Sequence, residues 1–242
     1  QVCFTDPNQG ITAANYIKDN GLGTKVAVIY NNGDAYSTGI AQGFISQAAE
    51  VGLEVVAEQT FPDDTNTDFT VQLNAAKDGG AELVFMPIYY TPASLILNQA
   101  KSMGYEPTFM GGDGFGSVKN YASADDLEGS VYCSGYAPGT DSVKQFEEDY
   151  KAAYNVDEIP NMFAPLAYDA AMLLCEGLKA AEAQGLTAGT DEYKQAVIDA
   201  IKTMDGVKGI TGSYSFDSDN NPIKSVAIIG LTGGEEVFKE MF

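Results

Sequence analysis

The chain has 242 residues, 45% of them hydrophobic, which is enough for one large or two small domains with a real core. Its 34 acidic side chains outnumber 13 basic ones, and the net charge of −21 repels nucleic acid phosphates and anionic lipid, so neither partner is expected. All basic residues are lysine, so no arginine is present to bind an anion through two parallel hydrogen bonds. Histidine is also absent, which removes the commonest general base and the commonest metal ligand. We therefore expect a non-enzymatic protein with no catalytic site, no metal site and no cofactor.

The first half of the chain alternates between apolar strands and amphipathic helices. Strands are predicted at residues 2–4, 25–30, 53–61, 81–88, 108–110 and 129–136. Helices are predicted after a turn at residues 6–10 and at residues 36–51, 68–77, 92–103 and 117–122, with Ser37 capping the second of them. This alternation predicts an α/β fold with a doubly wound parallel sheet and right-handed crossovers.

The pattern changes after Pro138. Three helices with apolar faces are predicted at residues 141–155, 161–184 and 191–204, followed by strands at 212–216 and 225–231. Such helices need a sheet to cover, so we expect an incomplete second lobe whose main sheet is absent from the chain. Residues 1–138 and 227–242 are assigned to the ligand-binding lobe and residues 139–226 to the other lobe. Self-association of the chain through these helices is expected.

The best candidate site is the glycine-rich stretch PTFMGGDGFG, residues 107–116, in which Asp113 follows a predicted strand. Ligands of open α/β sheets bind at the carboxyl ends of the strands, where the loops containing Tyr36, Tyr89 and Tyr90 should also converge. One acid, several aromatic rings and no catalytic machinery favour a site for a small cation or amine. An ordinary glycine-rich turn with a solvated acid, beside core tyrosines, is the open alternative.

Other motifs give weaker signals. The glycine loop has Ser117 in place of the last glycine of a dinucleotide fingerprint, and it is not a phosphate loop. The alternating acids of residues 217–221 are interpreted as a hairpin turn, because Pro222 stands where a calcium loop needs glycine. Acid pairs such as Asp63–Asp64 are interpreted as solvated. The three cysteines lie in apolar contexts typical of buried free thiols.

Several runs together resemble the leucine/isoleucine/valine-binding proteins, which are type I periplasmic solute-binding proteins of ABC importers. The resemblance begins with DPNQGITAANYI and KVAVIYNNGDAYSTG and continues through AELVFMPIYYTPASLILNQAKSMGYEPTFMGGDGF. The later runs FAPLAYDAAMLL and GITGSYSFDSDNNP resemble the return of the family's chain into its first lobe. The order and spacing of these runs cover nearly the whole chain, although the N-terminal half of the first lobe has no counterpart.

The resemblance implies that the protein binds a free amino acid, branched-chain or otherwise apolar, in a cleft between two lobes. It implies that Asp113 contacts the α-ammonium group, that Tyr36 and Tyr89 line the same wall, and that Phe163 supplies an apolar contact. Ser37, Tyr90 and Pro92 depart from the family's pattern, which leaves the preferred side chain open.

The implied setting is extracytoplasmic, with a lipidated N-terminal tether outside this sequence and the membrane subunits of an ABC transporter as partners. A ligand-sensing receptor module on the same fold is the alternative function.

Overall fold

A computed structural model describes residues 1–63 and 65–242, so the predicted solvation of Asp64 lies outside the described residues. The helices are α1 (Asp6–Asp19), α2 (Ala35–Val51), α3 (Thr70–Asp78), α4 (Tyr90–Ser102), α5 (Ala124–Leu127), α6 (Lys144–Tyr154), α7 (Phe163–Ala183) and α8 (Asp191–Lys202). The strands are β1 (Lys25–Asn31), β2 (Glu54–Phe61), β3 (Leu83–Met86), β4 (Thr108–Gly111), β5 (Val131–Ser134), β6 (Val207–Lys208), β7 (Ser213–Phe216), β8 (Pro222–Ile223), β9 (Ala227–Thr232) and β10 (Glu235–Met241). None of the described helices is both long enough and apolar enough to cross a bilayer.

The chain divides into two compact units. The first, here called the sheet unit, comprises Asp6–Ser134 and Val226–Phe242. The second, here called the helical unit, comprises Gln1–Thr5 and Gly135–Ser225. The prediction that residues 2–4 form a strand of the sheet is wrong. Val2 and Cys3 instead pack against an apolar cluster of the helical unit, so their hydrophobicity reflects side-chain packing rather than strand pairing.

The sheet unit contains a seven-stranded sheet in the order β10-β9-β5-β4-β3-β1-β2. Strands β5, β4, β3, β1 and β2 are adjacent in this order and run parallel, which confirms the predicted parallel core of an α/β fold. Strands β1 and β3 are buried along most of their length, as expected for strands with helices on both faces. At one edge β9 pairs antiparallel with β5, and β10 pairs antiparallel with β9, so the sheet is mixed. Strand β10 is missing from the sequence prediction, because most of its residues are charged or exposed, as edge strands often are.

Helices α1 and α2 approach each other closely because glycine lies at the contact. A β-carbon on Gly10 would lie 2.2 Å from the backbone oxygen of Ile40 and 2.4 Å from the backbone nitrogen of Phe44. A β-carbon on Gly43 would similarly lie 2.5 Å from the backbone oxygen of Pro7. The two helices therefore fix each other's position, and their first turns lie at the same edge of the sheet.

We expect Gly10→Ala to destabilise the protein by about 1–3 kcal/mol, because overpacking against backbone forces the two helices apart. The gain in helix propensity, about 1 kcal/mol, offsets only part of this cost. Gly39→Ala is the control, because its β-carbon would meet only the side chain of Asp6, at 3.3 Å. Chemical denaturation of both variants measures the difference. Equal free energies of unfolding for the two variants would contradict the close packing described for Gly10.

In the helical unit, α7 is anchored to a small sheet through a buried acid. Asp169 is fully buried and accepts hydrogen bonds from the backbone of Ile210 (2.8 Å) and Thr211 (2.9 Å) and from the hydroxyls of Thr211 (2.6 Å) and Tyr214 (3.0 Å). Lys224 donates to the same two hydroxyls, at 2.9 and 3.2 Å. Burial lowers the pKa of Lys224 to about 8, and the charge of Asp169 opposes that shift. The network joins α7 to the strands that follow α8.

The small sheet of the helical unit has the order β6-β7-β8 and is antiparallel. Strand β7 pairs with β6 and β8, whereas β9 joins the large sheet, at the edge where the sequence assigns residues 227–242 to the ligand-binding lobe. The turn between β7 and β8 is the predicted hairpin, in which Asp217 accepts hydrogen bonds from the backbone of Asp219 and Asn221. Helix α8 packs on α7 through Tyr193 and Val197.

Several large apolar side chains of the helical unit are exposed. They are Tyr154, Val156, Phe163, Tyr168, Leu174, Ile198 and Ile223. The self-association expected from the sequence stays a prediction.

Of the cysteines, Cys133 is buried and Cys3 is half-buried, whereas Cys175 is exposed, so the prediction of a buried thiol is wrong for Cys175. Its apolar sequence neighbours occupy a helix with an exposed face, which Cys175 shares with Leu174.

Candidate functional site

Three helices begin beside the turn that follows β4. Gln9 lies in the first turns of α1, Tyr36 is the second residue of α2, and Tyr89 immediately precedes α4. The turn itself is a short 3₁₀ helix, Asp113–Phe115. Helix N-termini carry partial positive charge, so this edge of the sheet is a favourable place for a carboxylate. The sequence prediction that loops meet at the carboxyl ends of the strands is confirmed for Tyr36, Tyr89 and Asp113.

Asp113 is held from two sides. The hydroxyl of Tyr36 donates to Oδ1 of Asp113 at 2.7 Å and accepts from the backbone nitrogen of Gly114, also at 2.7 Å. On the other side, the backbone nitrogen of Asp113 donates to Oε1 of Gln9 at 2.9 Å. Gln9 is buried, whereas the Asp113 side chain keeps partial access to solvent. The carboxylate is thus fixed in direction while still able to meet a ligand.

The glycines around Asp113 leave room for neighbouring side chains. None of Gly111, Gly112, Gly114 and Gly116 has a positive φ, whereas Ser117 does, at 74°. A β-carbon on Gly114 would lie 2.7 Å from the Tyr36 hydroxyl, and one on Gly111 would lie 2.5 Å from the ring of Phe115. Gly114 therefore leaves room for the Tyr36 hydroxyl that binds Asp113, and Gly111 leaves room for the ring of Phe115.

The predicted tyrosines separate into two pairs. Tyr36 and Tyr89 stack with ring centroids 5.0 Å apart at an interplanar angle of 24°, and Tyr89 is 40% exposed. Tyr90 instead stacks on Tyr121 at 4.5 Å, so its ring belongs to a second pair. Phe163, at the start of α7, lies in the helical unit and is 60% exposed. The structure therefore brings two of the four predicted aromatic residues together with Asp113 and its supports.

The electrostatics of the site reflect a partly desolvated negative charge. Burial raises the pKa of Asp113, although hydrogen bonds from Tyr36, Gln9 and the backbone of Gly114 oppose that rise. Burial, the charge of Asp113 and the hydrogen bond to it raise the pKa of Tyr36 well above its usual value. Burial and the charges of Asp113 and Asp34 raise the pKa of Asp6. A cation bound at Asp113 would relieve this concentration of negative charge.

Two supporting residues differ from the sequence prediction or were missed by it. Ser37 does not cap α2, because Asp34 does, accepting from the backbone of Tyr36 and Ser37. Ser37 is buried instead, where its hydroxyl accepts from the backbone of Asn31 at 2.9 Å and donates to the backbone oxygen of Pro87 at 2.6 Å. It thereby joins the ends of two neighbouring strands beneath Tyr36. Gln9 was missed, because its partner Asp113 lies 104 residues away in the chain.

Known proteins share both the sequence pattern and the fold of this chain. A family model described as "Periplasmic binding protein" matches residues 2–235. The chain belongs to the periplasmic binding protein family. This periplasmic binding protein is 26% identical over 225 residues to Leu/Ile/Val-binding protein homolog 1 of Brucella abortus, with 92% of the chain and 57% of the relative aligned. It therefore spans just over half the length of this relative.

Solved structures give the same fold, that of a type I periplasmic binding protein. A leucine binding protein from Thermotoga maritima superposes with a TM-score of 0.86 at 26% identity, covering 100% of this chain and 67% of that one. A branched-chain amino acid transporter substrate binding protein from Streptococcus pneumoniae, in complex with isoleucine, gives a TM-score of 0.81 at 30% identity, covering 98% of this chain and 65% of that one. Leucine and isoleucine, the amino acids named for these two proteins, both have apolar side chains.

Proposed function

We propose that this periplasmic binding protein is the extracytoplasmic solute-binding component of an ABC importer, and that it binds a free amino acid with an apolar side chain without transforming it. The single observation that carries the proposal is the Asp113 carboxylate, held in place by Tyr36 and beside an exposed tyrosine face. The names of the relatives, a Leu/Ile/Val-binding protein homolog, a leucine binding protein and a branched-chain amino acid transporter substrate binding protein, support transport over a ligand-sensing receptor module.

In this proposal Asp113 binds the α-ammonium group of the ligand. An ammonium group that leaves water needs a fixed negative partner, because an unpaired buried charge is costly. The stacked rings of Tyr36 and Tyr89 add attraction to the cation, on the order of 0.5–2 kcal/mol. Tyr90 and Phe163, also predicted to line the site, are proposed only as peripheral contacts, since Tyr90 pairs with Tyr121 and Phe163 lies in the other unit.

Thermal-shift measurements with the twenty amino acids test the proposal. We expect leucine, isoleucine or valine to raise the unfolding temperature, because a ligand that binds only the folded state stabilises it. Aspartate and lysine are the controls, since the side chain of each carries a charge that a site for apolar side chains would have to desolvate. If no amino acid shifts the unfolding temperature, the proposed ligand class is wrong.

Binding is expected to depend on pH through Asp113. Because burial raises the pKa of this carboxyl, protonation competes with the ligand at a higher pH than for an ordinary aspartate. Below that raised pKa, affinity for leucine should fall roughly tenfold per pH unit, and above it affinity should be constant. Calorimetry between about pH 3 and pH 7, a range that includes the usual pKa of an aspartate, measures this. An affinity that stays constant over the whole range would contradict ion pairing at Asp113.

The same pKa shift has the opposite consequence for the unliganded protein. The pKa of Asp113 is higher in the folded chain than its usual value of 3.8, so the folded chain holds the proton more tightly. The contribution of this group to stability is therefore lost as pH rises from 3.8 through the raised pKa. The site thus sacrifices some stability at neutral pH, which a bound ammonium group would restore.

A further inference from the structure

Gln9 makes a contact to Asp113 that the ligand contacts proposed above do not explain. Its side chain is 1% exposed, so it lies below the surface that a ligand could reach. Its Oε1 atom accepts the backbone N–H of Asp113 at 2.9 Å. The amide of Gln9 also lowers the pKa of the Asp113 carboxyl. One buried amide therefore holds the backbone of this acid and favours the ionised form of its side chain.

The fold around Gln9 is shaped to admit this amide. A β-carbon on Gly112 would lie 3.1 Å from Oε1 of Gln9, so the residue before Asp113 leaves room for the contact. The next residue of α1, Gly10, packs directly against the backbone of α2, which fixes the depth at which Gln9 enters. An apolar side chain would be the ordinary choice for such a buried helical position. The position of the Gln9 amide is thus set by the close contact of Gly112 with it and by the close contact of Gly10 with the backbone of α2.

We propose that Gln9 is a positioning residue that holds the Asp113 carboxylate in the orientation and charge state required to bind a ligand's ammonium group. This inference rests on the proposed function, in which Asp113 is the ammonium partner. Tyr36 holds the opposite side of the carboxylate, but its ring also faces Tyr89 and the ligand. Gln9 acts only through Asp113, because Gln9 is buried and cannot reach the ligand itself.

Other titratable groups lie near Asp113. They are Asp6 from α1, Tyr36 from α2, and Cys133 from β5, with Tyr89 beside Tyr36 and Asp34 beside Asp6. Tyr36 favours the ionised carboxyl, because its hydroxyl donates to it. Burial raises the pKa of Cys133 far above its usual value, so this thiol stays neutral. Asp6 is the competing charge, and the amide of Gln9 is one of the few donors that counter it. Loss of that donor should therefore favour the protonated form of Asp113.

The experiment compares Gln9→Met, which keeps the length of the side chain but removes the amide, with Gln9→Glu, which keeps an acceptor for the backbone and adds a negative charge. Gln47→Met is the matched control, because Gln47 joins the same two helices through Asn15, away from Asp113. Carbon-13 NMR follows the titration of the Asp113 carboxyl in the full chain without ligand. Calorimetry with L-leucine across the same pH range follows binding.

We expect the pKa of Asp113 to rise in both Gln9 variants, more in Gln9→Glu, and to stay unchanged in Gln47→Met. The pH below which leucine affinity falls should rise by the same amount, with a loss of roughly tenfold in affinity for each pH unit below it. In the wild-type chain, the chemical shift of the Gln9 side-chain amide nitrogen should change with pH at the same midpoint as that of the Asp113 carboxyl. This measurement does not depend on the folding of any variant. An unchanged Asp113 titration in both Gln9 variants, or a Gln9 amide that does not follow Asp113, would overturn the proposal. Absence of leucine binding by the wild type would instead refute the proposed ligand class, while the NMR titration still decides the role of Gln9.

Discussion

Replacement of Asp113 by Ala is expected to weaken leucine binding by roughly 30-fold to several thousandfold, or about 2–5 kcal/mol. The loss has two parts. The ligand's ammonium group would lose its charged partner, and the hydroxyl of Tyr36 would lose the acceptor that fixes it at 2.7 Å. The unliganded protein should remain folded, because the substitution also removes a partly desolvated negative charge.

Asp125→Ala is the control for this prediction. Asp125 lies on α5 of the same unit, its side chain is 91% exposed, and its ion pair with Lys101 has a separation of 3.9 Å. Such exposed pairs contribute little, about 0–1 kcal/mol. Calorimetry with leucine on both variants at neutral pH gives the comparison. Equal affinities for Asp113→Ala and Asp125→Ala would show that Asp113 is a turn residue and that the amino acid binds elsewhere.

The largest effect on stability is expected for Asp169→Ala. This change would leave the backbone N–H groups of Ile210 and Thr211 without their buried acceptor, and the charge of Lys224 without the opposing charge of Asp169. Removal of one partner from such a buried network costs about 3–5 kcal/mol. The helical unit should therefore loosen between α7 and the strands that follow α8.

Hydrogen exchange measured for the segment from β6 to β7 tests this expectation, since its amides depend on Asp169. Glu176→Ala is the matched control, because Glu176 is an acid of the same helix that forms an exposed ion pair with Lys179. We expect faster exchange and a lower unfolding temperature for Asp169→Ala only. Wild-type exchange in this segment would mean that α7 is held by apolar packing and not by the acid.

The central part of the fold could be predicted because its strands are apolar on both faces. Strands β1 and β3 are buried runs between helices, and such short apolar runs are typical of the middle of a parallel sheet. The edges could not be predicted in the same way. Strand β10 is largely exposed and charged, and the apolar segment at residues 2–4 packs without pairing. At the edges of the sheet, hydrophobicity does not distinguish a segment that pairs as a strand from one that only packs its side chains. The sequence pattern therefore cannot predict the edge strands.

The candidate site shows a similar division. The position of Asp113 beside Tyr36 and Tyr89 follows from strand order, because the carboxyl ends of parallel strands share one edge. The separation of Tyr90 from Tyr89 does not follow, since it depends on the direction of two adjacent side chains at the start of α4. The roles of Gln9 and Ser37 depend on hydrogen bonds across 104 and 50 residues of chain, respectively, which no local pattern encodes.

The most direct test of the proposed function is whether Asp113 and the ligand's ammonium group interact with each other. Leucine and 4-methylpentanoate, which is leucine without its amino group, can be titrated calorimetrically into the wild type and into Asp113→Asn. If the two groups pair, removing the ammonium should cost much more in the wild type than in the variant, with a coupling on the order of 2 kcal/mol or more. An equal cost in both proteins would contradict the proposed function, because it would show that Asp113 does not bind the ammonium group.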